Sequence, residues 1–307
     1  MPKVNFFLVG AAKAGTTSVA RFLEEVPGTY FSPIKEPCHF CPDINAESRK
    51  EFERQNLVDL DRYLAGGMNE SLHMHQVEQP NQYSQLFEVA GDAVVIGECS
   101  TSYLPSKEAA KRIFEYNPQA KIMAVLRNPV ARIRSHYLMD QRIGLERRPL
   151  EDCLKEELDL GEAANFSNCR MYLAQSDYRD QIARFKSFFP SDQILVLRFE
   201  DVVADQKMWL PHVLAFLDLP PDSVSLVLPR ENSADVMPRF KWLDGLLYRT
   251  GLKSKLRYHL PRLLPGPIKR TVKSVYIGSA EREKAALSEE WRDMEAVKRL
   301  VLEYEMM

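Results

Sequence analysis

An α/β fold built on a parallel sheet is predicted by two observations, and a third places a phosphate site in it. Apolar runs at residues 6–9, 94–99, 121–126 and 193–197 have the length and composition of buried strands. Segments of helical periodicity separate them, as right-handed β-α-β units require. The third observation is the stretch Gly10-Ala-Ala-Lys-Ala-Gly15, which joins the first strand to a helix opening at Thr16. Strand, small-residue loop and helix is the arrangement in which backbone N–H groups and a helix N-terminus converge on an anion.

The elements follow in order. After the first helix, with Val19, Phe22, Leu23 and Val26 at helical spacing, residues 29–32 read as a short strand. Pro33 and Pro37 punctuate the loop beyond it. Residues 42–92 are polar and weakly periodic, and read as a loop-rich surface insertion with helical pieces at 46–58 and 82–89. The strand at 94–99 leads into a helix expected from Pro105 to about Tyr116, stopped by Asn117-Pro118. The strand at 121–126 is followed by a helix to about Arg142, with Pro129 suited to its first turn. Helices are expected at 149–160, 178–189 and 205–217, and a final amphipathic one at 288–305. Between residues 239 and 273 ten Lys or Arg face one acid, Asp244. That bias predicts a basic helical cover, either a solvated face or a lid over an anion.

Composition excludes several classes. At 307 residues with 45% hydrophobic and 27% charged side chains, the chain has the makings of one globular domain with a sizeable core. A net charge of −2 offers no bulk attraction to nucleic acid or to a membrane surface. Five cysteines, an odd number, do not form a disulfide framework and fit a reducing compartment. No leader pattern and no run long enough for a membrane helix is present, so a cytoplasmic location is expected. Oligomeric state is not legible.

Within the loop, Gly10 and Gly15 allow close backbone approach, Lys13 supplies charge, and Thr16 and Thr17 supply hydroxyls at the helix start. A Walker A loop places its Lys directly after the second Gly. Here Lys13 comes two residues before Gly15, and Thr16 stands where Walker A has its Lys. Gly10-x-x-Lys13-x-Gly15-Thr16-Thr17 resembles the 5′-phosphosulfate loop of sulfotransferases that use 3′-phosphoadenosine 5′-phosphosulfate (PAPS). The segment Arg127-Asn-Pro-Val-Ala-Arg-Ile-Arg-Ser135 is similar to the 3′-phosphate site of the same family, with Arg at a strand end and Ser about two helical turns on. The resemblance covers roughly residues 4–235.

It implies a three-layer sandwich with a central parallel sheet, of the P-loop-containing nucleotide-binding type. It implies transfer of a sulfuryl group from PAPS to a hydroxyl or amine, leaving 3′,5′-ADP, without a metal. Lys13 would act on the leaving oxygen, and Lys13, Ala14, Gly15, Thr16 and Thr17 would hold the 5′-phosphate. Arg127 and Ser135 would hold the 3′-phosphate, and Tyr178 falls in a further segment that looks like the family, as do Arg198 and Asn232. The family's carbohydrate-type members carry a Glu as general base after the second strand. Here that stretch reads Glu36-Pro-Cys-His-Phe40, which leaves the base open between Glu36 and His39. Pro37 biases Glu36 toward extended backbone. Glu98-Cys-Ser-Thr-Ser-Tyr103 resembles a segment lining the acceptor side, but Cys99 replaces its Lys and Thr101 its Pro. The acceptor is a small molecule, a glycan or a lipid headgroup, with an intracellular small molecule preferred.

The alternatives are a P-loop kinase or NTPase and a catalytically silent nucleotide-binding protein. Cys38-x-x-Cys41 lacks the second pair a structural zinc site needs, and His73-Met-His75 lacks a partner at metal spacing. Both read as incidental.

Overall fold

The computed structural model describes residues 2–55, 58–220, 236–238, 277–279 and 290–307. Its centre is β1 (Phe6–Gly10), five residues without an exposed side chain. Such a run suits the middle of a parallel sheet, where both faces are covered. The chain continues through α1 (Thr16–Glu24), β2 (Thr29–Phe31) and the two-residue β3 (Ile34–Lys35). Helices α2 (Pro42–Gln55) and α3 (Leu60–Ala65), strand β4 (Leu72–His73) and α4 (Pro80–Gln85) lead to β5 (Val95–Cys99). Then come α5 (Ala109–Tyr116), β6 (Lys121–Leu126), α6 (Pro129–Ile143), α7 (Leu150–Leu160) and α8 (Tyr178–Lys186). The last large strand, β7 (Ile194–Arg198), runs directly into α9 (Phe199–Ala204) and α10 (Gln206–Phe216). Strands β8 (Val236–Pro238) and β9 (Ile277–Ser279) pair antiparallel, and α11 (Glu295–Glu305) closes the chain.

The large sheet has the order β2-β5-β1-β6-β7 and is parallel throughout. The chain moves outward from β1 to β2 on one side, then crosses from β5 over β1 to β6 and β7 on the other. Right-handed crossovers running in opposite directions place their helices on opposite faces, which gives three layers. The crossing also opens a crevice beyond the carboxyl ends of β5, β1 and β6, the usual place for a ligand in such sheets.

Most of the strand and helix expectations are found within a few residues. The helix expected from Pro105 begins at Ala109; in the turn before it Ser106 Oγ accepts from the Glu108 and Ala109 N–H groups. Helix α9 was not anticipated: it follows β7 without a breaker residue. Residues 42–92 are more than a surface excursion, since Val77, Tyr83, Leu86 and Phe87 are buried in the main core. The basic stretch 239–273 and Asn232 lie outside the described residues. No helix among the described residues is long and apolar enough to cross a membrane.

A second apolar cluster anchors the C-terminal helix. Trp291, Val297 and Leu300 pack with Ile133 and Tyr137 of α6, Leu150 and Leu154 of α7, and Tyr172. Trp291, in the short 3₁₀ turn before α11, is fully buried, whereas Leu302 on α11 is 60% exposed. Trp291→Ala is therefore expected to cost about 3–5 kcal/mol of unfolding free energy in urea titration. Leu302→Ala should stay within about 0.5 kcal/mol of wild type.

Candidate functional site

At the end of β1 the backbone turns under tight steric limits. A Cβ on Gly10 would lie 2.8 Å from Leu104 Cβ. Lys13 has φ 68, and Gly15, with φ 80, precedes the first residue of α1. A Cβ on Gly15 would come within 2.3 Å of the Phe199 ring, so only glycine fits between the loop and α9. No side chain caps α1. Its first-turn N–H groups, with the hydroxyls of buried Thr16 and half-buried Thr17, make an anion-binding end.

Lys13 sits among charges of both signs. Its Nζ contacts Met139 Sδ at 3.4 Å. Burial, then the guanidinium of Arg142, lowers its pKa to about 8; Asp140 opposes that shift, Arg127 adds to it and Glu36 opposes it. Arg142 follows Met139 by three residues and Ser135 by seven, so the three share one face of α6. That spacing was the sequence signal that would have brought Met139 and Arg142 into the site.

Arg127, just beyond β6, reaches the same loop. Its Nη1 donates to the Lys13 carbonyl at 3.0 Å, and its guanidinium carbon lies 5.5 Å from the Phe199 ring centroid. Its Nε is buried without a hydrogen-bond partner. Tyr178, 2% exposed, donates its hydroxyl to the Arg127 carbonyl at 2.9 Å, bracing this turn from within the core. Ser135 is half-buried on α6, two turns from Arg127. Arg198 is engaged elsewhere, donating to the Tyr304 and Glu305 carbonyls at the end of α11.

Glu36 departs from its expected backbone. It has φ 65 rather than an extended value despite Pro37. Tertiary hydrogen bonds override the local preference: Glu36 N–H donates to the Cys99 carbonyl at 2.8 Å, and Cys38 N–H to Ser100 Oγ at 3.1 Å. The Glu36 carboxylate pairs with Lys35 Nζ at 2.8 Å through Oε1 and accepts from Thr101 Oγ1 at 2.9 Å through Oε2. On a regular strand neighbouring side chains point to opposite faces. Lys35 and Glu36 meet because Glu36 breaks that alternation, which is why the pairing escaped the sequence.

His39 is held differently. Its Nδ1 lies 2.7 Å from the Val77 carbonyl, and a carbonyl only accepts, so the proton is on Nδ1. The ring stacks on Tyr83 at 4.3 Å, and burial lowers its pKa. The charge it responds to is Arg112 on α5, whereas Glu36 lies in the field of Lys13.

The stretch expected to line the acceptor side turns inward instead. Glu98 is fully buried, and burial pushes its pKa up to about 8, with Ser100 Oγ at 3.5 Å from Oε2 and Oε1 without a hydrogen-bond partner. The Tyr103 hydroxyl accepts from the His39 and Phe40 N–H groups at 3.0 and 3.3 Å. These residues hold the 37–40 turn in shape rather than face the crevice. Cys38 and Cys41 are free and buried. No group of three His, Cys, Asp or Glu among the described residues is placed to hold a metal ion.

Residues 5–223 match the family described as Sulfotransferase family. Carbohydrate sulfotransferase 15 of Mus musculus is 23% identical over 259 residues, covering 71% of this chain and 44% of the mouse protein. Its Homo sapiens counterpart is 26% identical over 258 residues with the same shares. This chain thus spans less than half the length of those relatives. Among solved structures, a sulfotransferase from Alicyclobacillus acidocaldarius matches with a TM-score of 0.58 at 26% identity, covering 84% of this chain and 96% of that one.

The buried ammonium of Lys13 has a stability consequence with a definite sign. Its pKa in the folded protein, about 8, lies below the ordinary 10.5, so the unfolded chain binds the proton more tightly. The cost is complete below the folded value and shrinks as pH rises toward the ordinary one. Lys13→Met is expected to raise the thermal midpoint of the ligand-free protein near neutral pH. Scanning calorimetry across the alkaline range should show that gain narrowing as the wild type sheds its proton.

Proposed function

The chain belongs to the sulfotransferase family, and from that membership we propose that it transfers a sulfuryl group from PAPS to a hydroxyl of a carbohydrate. The observation that carries this reading is the 3.0 Å hydrogen bond from Arg127 Nη1 to the Lys13 carbonyl. It brings two anion-binding features into one crevice, as a nucleotide with phosphates at both its 3′ and 5′ positions demands. Sulfotransferase names among the matches favour this over a P-loop kinase or a silent nucleotide-binding protein. The names of the relatives support a carbohydrate acceptor over the small molecule preferred on sequence grounds. Five free cysteines fit a cytoplasmic setting.

The residues present fit the donor. Arg127 carries a buried Nε without a partner, Lys13 reaches a thioether, and α1 opens without a side-chain cap. PAPS supplies an activated sulfuryl group on a phosphate leaving group. The backbone of residues 14–17, with the Thr16 and Thr17 hydroxyls, would hold the 5′-phosphate at the head of α1. Arg127 and Ser135 would take the 3′-phosphate, Arg127 through its planar fork. Lys13 would neutralise charge growing on the leaving oxygen, where a buried cation counts for most. Glu36, in the field of Lys13, would take the proton of the acceptor hydroxyl. His39, neutral and stacked on Tyr83, would shape the acceptor side. By analogy with phosphoryl transfer, most of the acceleration then comes from positioning and charge stabilisation.

Calorimetry tests the nucleotide assignment. Arg127→Ala should cost about 2–4 kcal/mol of 3′,5′-ADP affinity and far less for 5′-AMP, which lacks the 3′-phosphate. Equal losses for the two nucleotides would remove Arg127 from that role.

Incubation with radiolabelled PAPS and a panel of sugars, glycans and phenols tests the reaction. Label should enter a carbohydrate, and Glu36→Gln should lower kcat by at least about 10²-fold with 3′,5′-ADP affinity kept. His39→Asn should have the milder effect. Labelling of phenols alone would overturn the carbohydrate assignment.

A further inference from the structure

The ion pair beside Glu36 goes beyond the roles assigned above. Glu36 is 7% exposed, and a carboxylate so enclosed takes up a proton unless partners stabilise its charge. Two partners from different parts of the chain do so. Lys35 Nζ, from β3, lies 2.8 Å from Oε1. Thr101 Oγ1, from the turn after β5, donates to Oε2 at 2.9 Å. Each contact fixes one oxygen, so together they set the plane of the carboxylate. The backbone is held as well, by the 2.8 Å hydrogen bond from Glu36 N–H to the Cys99 carbonyl.

We propose that Lys35 and Thr101 are positioning residues that keep Glu36 as the anion and aim it at the acceptor hydroxyl. This deepens the reading of Glu36 as the base and rests on it. The groups around the pair agree. Burial opposes the charge on the Lys35 ammonium, yet Glu36 beside it raises the lysine pKa above its ordinary value. The Cys99 and Cys38 thiols also lie in the field of Lys35, and burial pushes Cys99 up to about 12, so Cys99 stays neutral and does not compete for the ammonium. Lys13, from the loop after β1, adds a second cation to the surroundings of Glu36. Lys35 is thus the adjacent counterion, and Lys13 is left for the donor.

A neighbouring cation lowers a carboxyl pKa by about 1–3 units, so its removal should raise the Glu36 pKa by that amount. The test follows the Glu36 side-chain carboxyl by ¹³C NMR in glutamate-labelled protein, with the resonance assigned by its loss in Glu36→Gln. Lys35→Met should move the titration midpoint up by about 1–3 pH units, and Lys35→Arg should leave it near wild type. Thr101→Val should move it in the same direction by less, and serves alone if Lys35→Met does not fold. In turn, the acid limb of PAPS consumption with water as acceptor should rise with the midpoint, while the alkaline limb set by Lys13 stays put. A midpoint unmoved in Lys35→Met, or in Thr101→Val where that variant serves alone, overturns the proposal. A wild-type rate of PAPS consumption in Glu36→Gln, with the midpoint shift intact, overturns instead the reading of Glu36 as base.

Discussion

The hydrogen bond from Arg127 to the Lys13 carbonyl joins the carboxyl ends of two adjacent strands, and much of the surrounding structure keeps it in place. Phe199 lies against both the loop and Arg127: its ring fills the space that a side chain at Gly15 would need and sits near the Arg127 guanidinium. Tyr178 holds the Arg127 carbonyl from the core side. Glu200 accepts from the Asn128 N–H through one oxygen and from the Tyr304 hydroxyl through the other, so α11 also braces the turn. Together these contacts leave Arg127 with a fixed carbonyl and an Nε without a partner. A preorganised donor of this kind loses little rotamer freedom on meeting an anion.

Charge in the crevice is arranged with similar care. Lys13 would be costly to bury with Arg142 and Arg127 nearby, and Asp140 and Glu36 offset part of that cost. Asp140 is itself held by the Tyr172 hydroxyl at 2.8 Å and faces His136 at 3.6 Å. Completely buried Arg132 donates to Ser176 Oγ and to the Tyr172 carbonyl, locking α6 to the segment beside it. The face of α6 that carries Ser135, Met139 and Arg142 is thereby presented to the loop at a set angle. Satisfied hydrogen bonds are what make so polar an interior affordable.

The second strand's rim shows a local rule giving way. Pro37 disfavours αR for Glu36 and steers it toward extended backbone, yet Glu36 adopts φ 65 because its N–H bonds Cys99 and the next residues bond Ser100 and Tyr103. That turn swings the carboxylate onto Lys35 and Thr101. Cys99 stands where the resembling family segment has a lysine, and the cation beside Glu36 is Lys35. Positive φ at a non-glycine residue persists only where surrounding contacts over-determine it, and such strain gathers at functional sites.

Periodicity and loop chemistry were enough to read the parallel sheet, the glycine loop between β1 and α1, and the placement of Arg127 at a strand end with Ser135 on the helix that follows. Each of those depends on residues close in sequence: a buried run, a glycine turn, a helix start, a two-turn spacing. Tertiary structure alone decided which of Glu36 and His39 shares a field with Lys13, that Lys35 faces Glu36, and that Arg142 and Asp140 border the loop. It also turned Glu98 and Tyr103 inward, and gave Tyr178 and Arg198 to bracing the Arg127 turn and α11. The physical reason is distance along the chain. Lys13 and Arg127, or Glu36 and Thr101, meet only after β1, β5 and β6 lie side by side, and no local pattern encodes a contact made across strands.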